Sequence, residues 1–202
     1  MNDLLNGLLY RHGTVPRLTL VLIAISAAVS AYSGLGDSLG KLVPLLMSEY
    51  RGNSWETLVE IRNGELWRLI TPIFVHFGLL HLLFNMMWLW DLGGVIETRW
   101  SALQLSALVL VIGVSSNLAQ YLMEGALFGG MSGVVYGLLA YLYILGRLRP
   151  DLGLHVPQAI MSFMLIWFAL CWTGLLGGIA NWAHTFGLVS GGLLALGRSQ
   201  LK

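Results

Sequence analysis

Charge is the scarcest property of this 202-residue chain: Lys, Arg, Asp and Glu together make up only 10%, against 56% hydrophobic residues. Soluble domains carry about a quarter charged residues, so this composition points to a chain built for lipid. The few charges also cluster, and stretches such as 102–123 and 156–183 hold no Lys, Arg, Asp or Glu. A net charge of +1 excludes the basic footprint of a nucleic-acid binder. The single cysteine, Cys171, excludes an internal disulfide and reads as a small buried hydrophobe. No His-Glu-x-x-His run is present, which leaves a membrane zinc protease without support, and no metal or cofactor is expected.

What the chain has is apolar runs of spanning length. About 20 apolar residues cross a hydrocarbon core of about 30 Å, and six such segments are expected near 18–32, 79–96, 102–123, 132–148, 156–176 and 178–197. That predicts an all-α bundle of six transmembrane helices in a single domain, 1–202, with a long first external loop between Gly34 and His76. Clusters at Leu45-Leu46-Met47 and Trp55-Leu58-Val59 suggest short amphipathic helices lying at the membrane interface in that loop. The first run has a rival reading, since Arg11 and Arg17 before it and Ala31-Tyr32-Ser33 after it also fit a cleaved signal peptide. If six spans alternate, Arg11, Arg17, Arg99, Arg147, Arg149, Arg198 and Lys202 share one side. The positive-inside rule then places both termini in the cytoplasm of a multi-pass cell (inner) membrane protein.

Polar groups inside the spans are costly and so are functional candidates. His81 and Asn85 lie in the second span, Gly129-Gly130-Met131-Ser132-Gly133 opens the fourth, and Asn181 and His184 lie in the sixth. Singly, each has an ordinary explanation in small-residue packing or an interhelical hydrogen bond, and Gly133/Gly137 and Gly187/Gly191 form i,i+4 pairs suited to close helix contact. Depth sharpens the combination. Ser132, His184 and Asn85 stand 15, 14 and 14 residues before Arg147, Arg198 and Arg99. At a rise of about 1.5 Å per residue all three sit ~21–23 Å from one flank, with His81 a turn higher. The fourth span, at 132–148, is short, so the Gly-rich segment 124–131 is expected to enter the membrane as irregular backbone lining a water-filled cavity.

The chemistry of such a layer is hydrolytic. A serine hydroxyl needs a neighbouring base, and neutral histidine serves. A helix start supplies free N–H groups and the positive end of its dipole. Ser132 is therefore the expected nucleophile and His184 the base. His81, Asn85 and the Ser132 backbone are the expected oxyanion donors. No carboxylate shares the layer, which predicts a dyad. Val134 stands where a nucleophile elbow requires glycine, and only Asp91 would serve an intramembrane aspartyl mechanism.

Trp67-Arg68, His76, His81-x-x-x-Asn85 and Gly94-x-x-Glu97 resemble the first loop and second span of rhomboid intramembrane proteases. Gly130-Met131-Ser132-Gly133 with Tyr136 resembles the nucleophile segment, and Asn181-Trp182-Ala183-His184-x-x-Gly187-x-x-x-Gly191 the histidine helix. The resemblance runs from Trp67 to Gly191 in order and is to the minimal bacterial form. It implies an intramembrane serine endopeptidase cutting single-span transmembrane proteins, after small residues in helix-destabilising sequence. It also implies Tyr136 stacking on His184, and a lateral substrate gate between spans 2 and 5 built from Phe84, Trp88, Phe163 and Trp167. Trp182 is bulkier than expected beside the histidine. The alternatives are a catalytically silent rhomboid-like binder of transmembrane helices and a small transporter. The halves show no internal repeat that would favour the transporter.

Overall fold

A computed structural model describes residues 15–49 and 58–201. Among the described residues the secondary structure is helical throughout, with six long helices: α1 (Arg17–Tyr32), α2 (Leu79–Arg99), α3 (Ala102–Glu124), α4 (Ser132–Leu148), α5 (Gln158–Cys171) and α6 (Asn181–Ser199). By length and composition α2 and α3 suffice to cross a membrane, while α1, α4 and α5 are shorter apolar helices. Trp55 of the second loop cluster, and the charges Arg11, Arg51, Glu56 and Lys202, lie outside the described residues.

Local chemistry sets the helix ends. Ser101 caps α3 by accepting a hydrogen bond from the Gln104 N–H at 3.1 Å, and Gly125, at φ +91°, ends it. Pro150 follows α4 and Pro157 precedes α5, where a missing N–H is harmless. The start of α1 is capped from another helix. Glu97 on α2 accepts from the Leu18 and Thr19 N–H groups at 2.7 and 2.8 Å and from Thr19 Oγ1 at 2.8 Å. A carboxylate there meets the positive end of the α1 dipole. It fixes α1 against α2.

The centre of the bundle is α4, buried without a break from Gly133 to Leu142, and its most extensive partner is α6. Glycine permits this approach. A Cβ on Gly187 would overlap the Gly133 carbonyl, one on Gly191 the Gly137 carbonyl, and one on Gly137 would lie 2.9 Å from the Gly187 carbonyl oxygen. The expected i,i+4 glycine pairs therefore face one another across a single seam. By contrast, α5 buries only Met161, Met164 and Cys171, and its backbone comes close chiefly to α6.

Two expectations need correction. Leu46 and Met47 do not lie outward as an interfacial face: they are 3% and 0% exposed, and Leu46 packs with Leu42 and Val75 in a small core beneath the first loop. Arg68 holds them there, its Nη1 donating to the Val43 and Leu46 carbonyls at 2.6 and 2.9 Å while Nε pairs with Glu65. The fifth helix also stops at Cys171 instead of 176, and α6 begins at Asn181 instead of 178. Gly174 and Gly177 take positive φ in the intervening turn, and apolarity alone had hidden that break.

Candidate active site

Residues 125–131 connect α3 to α4 without regular structure, as their glycines led us to expect. They are held from the first loop. Gly130 N–H donates to the Pro72 carbonyl at 3.0 Å, and Met131 N–H to His76 Nε2 at 3.4 Å. Gly129 and Gly130 tolerate no side chain: a Cβ on the first would lie 2.7 Å from Val75 Cβ, and on the second 2.7 Å from His81 Nε2. Gly130 also sits at φ +128°, a region L side chains rarely adopt. This cradle delivers Ser132 as the first residue of α4, at the helix end whose N–H groups have no intrahelical acceptor.

Across the α4–α6 seam, His184 Nε2 lies 2.8 Å from Ser132 Oγ. His184 is 5% exposed, and its Nδ1 has no hydrogen-bond partner among the described residues. The Tyr136 ring packs on the His184 ring at 4.8 Å with a 43° tilt, so the contact is oblique and not a parallel stack. Tyr136 Oη in turn donates to the Met164 carbonyl on α5 at 3.2 Å. Asn181 Nδ2 bonds the Cys171 carbonyl at 3.2 Å, joining the ends of α5 and α6 a turn before the histidine. Trp182 packs edge-on against Trp172 and does not line the cavity that holds Ser132, which disposes of its bulk.

Ser132, His184, His81 and Asn85 all line one cavity of about 580 Å³. Asn85 uses one amide N–H on the His81 carbonyl at 2.8 Å, which leaves the second for a ligand. His81 meets His76 edge-to-face, ring centroids 5.1 Å apart. His76 lies in the loop before α2, where burial and the neighbouring His81 lower its pKa to about 4. It is therefore neutral near pH 7, as accepting the Met131 N–H at Nε2 requires.

Phe84, Trp88, Phe163 and Trp167 line the same cavity. Phe84 on α2 stacks on Trp167 of α5 at 6.2 Å with an interplanar angle of 4°, and Phe163 on Trp167 at 6.4 Å. Trp88 is 7% exposed and belongs to the core side of this row. Trp67, Arg68, Glu97 and Gly133 are not cavity-lining residues. Trp67 Nε1 donates to the Pro44 carbonyl at 3.2 Å and so supports the first loop, as Arg68 does.

A rhomboid-domain family profile matches residues 63–200. The chain belongs to the rhomboid family. It is similar to the proteins named rhomboid protease GlpG of Yersinia pestis, 43% identical, and of Serratia proteamaculans, 45% identical, each over 132 residues. These matches cover 65% of this rhomboid chain and 48% of either relative, so it spans about half the length of the curated relatives it matches.

Sequence reasoning gave Gln120 no part in this rhomboid site, yet it lines the cavity and is 3% exposed. Its Oε1 accepts from the Ala183 N–H, beside His184, at 3.2 Å. The signal was present: Ser116, Asn117 and Gln120 make a buried polar stripe on α3. The run 102–123 reads as a plain apolar span because it holds no charge, and that reading passes over its amides although it singles out Asn85 and Asn181 in other spans.

Proposed function

We propose that this chain is an intramembrane serine endopeptidase that hydrolyses peptide bonds in or near the transmembrane segments of other membrane proteins. The observation that carries the reading is the 2.8 Å contact between Ser132 Oγ and His184 Nε2 at a helix N-terminus that opens into a cavity. Ser132 Oγ–H donates to His184, which takes the proton as the oxygen attacks the scissile carbonyl. The resulting oxyanion meets the Ser132 backbone N–H, the free Asn85 N–H and His81. Protonated His184 then gives its proton to the leaving amine, and water hydrolyses the acyl-enzyme by the same route. No resident metal or cofactor has a part.

The same reading makes all six helices spans. Both termini face the cytoplasm and the cavity opens to the external or periplasmic side, by the distribution of Arg and Lys. Exposed apolar side chains such as Leu80, Leu83, Leu103, Leu110 and Leu193 would meet lipid. The test is incubation of the detergent-solubilised protein with a model single-span substrate and sequencing of the fragments. A cut in or beside the transmembrane segment supports the reading, whereas an intact substrate favours a silent helix binder.

His81→Ala or Asn85→Ala is expected to lower turnover by roughly 10–1000-fold with a smaller change in KM, because such donors act mainly on the transition state. Steady-state kinetics on one substrate checks this. A rise in KM alone would reassign the residue to substrate binding.

Entry of a substrate helix from lipid would pass between α2 and α5, the more sparsely packed helix. Trp167→Ala removes the Phe84 stack, an interaction worth about 1 kcal/mol. Thermal unfolding should shift down slightly, and cleavage of transmembrane substrates should quicken several-fold while that of a short soluble peptide stays constant. Equal acceleration of both would argue against a lateral gate.

A further inference from the structure

Glu124 is the only Asp, Glu, Lys or Arg among the described residues that line the cavity. It is the last residue of α3, where the helix dipole is negative and a carboxylate is electrostatically out of place. The dipole therefore gives no reason for an acid at this position, although the i,i+4 bond to Gln120 within the helix offsets part of that cost. The carboxylate is nonetheless held. Its Oε2 accepts a 2.7 Å hydrogen bond from Gln120 Nε2, and Gln120 is itself buried and tied through Oε1 to the first turn of α6, beside His184. Glu124 Oε1 has no partner among the described residues, and the residue as a whole is exposed. The amide that orients it, Gln120, is buried and lies on the wall of the cavity that holds Ser132. A charge set against local helix chemistry and fixed at a site points to a function there.

We propose that Glu124 is a specificity-determining residue, recognising a Lys or Arg side chain close to the scissile bond of the substrate. This rests on the protease reading above and adds to it a substrate class: segments that bring a basic residue to the cavity rim. An apolar wall with one oriented carboxylate accepts the aliphatic stem of such a side chain and pairs with its head. A substrate acid at the same position meets like charge, which is the repulsive half of the selection.

The test uses the detergent-solubilised full chain and a set of fluorogenic peptides that share one cleavable sequence. Each peptide carries a single Lys, Gln or Glu at one of the three positions on either side of the scissile bond. Since Glu124 is exposed, lysine at the matching position should raise kcat/KM about 2–5-fold over glutamine, the size of an exposed ion pair, and glutamate should lower it. The preference should shrink as salt is raised. Glu124→Gln keeps an acceptor for Gln120 and should erase the preference while cutting the glutamine peptides at the wild-type rate. Glu124→Lys should invert it. Identical lysine-to-glutamine ratios in wild type and Glu124→Gln at all six positions would overturn the assignment and leave the protease reading intact. Failure of the wild type on every peptide, neutral ones included, would overturn the protease reading and this assignment together.

Discussion

Ser132→Ala and His184→Ala are each expected to lower cleavage by about 10⁴-fold or more, and the double variant should be no worse than either single one. The two side chains act as a unit: without the 2.8 Å contact the hydroxyl has no base, and without the hydroxyl the base has nothing to activate. Ser132→Ala removes a single oxygen and should leave the fold unchanged, whereas His184→Ala empties buried space beside the Tyr136 ring and should lower thermal stability while the helices persist. Circular dichroism and thermal unfolding check that, and a cleavage assay on purified single and double variants reads the effect. Losses that multiply in the double variant would mean that serine and histidine act independently.

The second large effect concerns the seam that holds those two residues in place. Gly187→Val puts a branched side chain where even a Cβ overlaps the Gly133 carbonyl, and Gly191→Val does the same against Gly137. Backbone on the facing helix cannot move aside as a flexible side chain can, so about 3 kcal/mol or more of destabilisation is expected for each. Both variants should unfold at markedly lower temperature than the wild type. Whatever folds should have lost cleavage, because α4 carries Ser132 and α6 carries His184. Gly197→Ala is the control: a Cβ there meets open space and should change little.

These residues also show how much of the molecule was legible beforehand. The six long helices, the short fourth one beginning at Ser132 and the irregular Gly-rich entry to it followed from apolar runs and from how long a helix must be to cross lipid. The convergence of Ser132, His184, His81 and Asn85 followed from counting residues to the flanking arginines, since rise per residue converts sequence distance into depth. Depth of burial was not legible. Spacing puts Phe84 and Trp88 on one face of α2, and both line the cavity, but it does not say how closely neighbouring helices cover each, so that Trp88 is buried and Phe84 exposed. The inward turn of Leu46 and Met47 depends on Arg68 reaching carbonyls more than twenty residues earlier in the chain, a contact that no local pattern announces. The Gln120 bridge to Ala183 is long-range in the same way. Contacts that pair uncharged polar groups across distant segments leave the weakest trace in a sequence.

The dyad is most directly tested with a fluorophosphonate probe on the detergent-solubilised protein, followed by mass spectrometry of the labelled peptide. Activated serine alone reacts quickly, so the label should sit on Ser132, be absent from Ser132→Ala, and form far more slowly in His184→Ala. A label on any other serine, or labelling of Ser132 at an unchanged rate without His184, would mean that these two residues are not a nucleophile and its base.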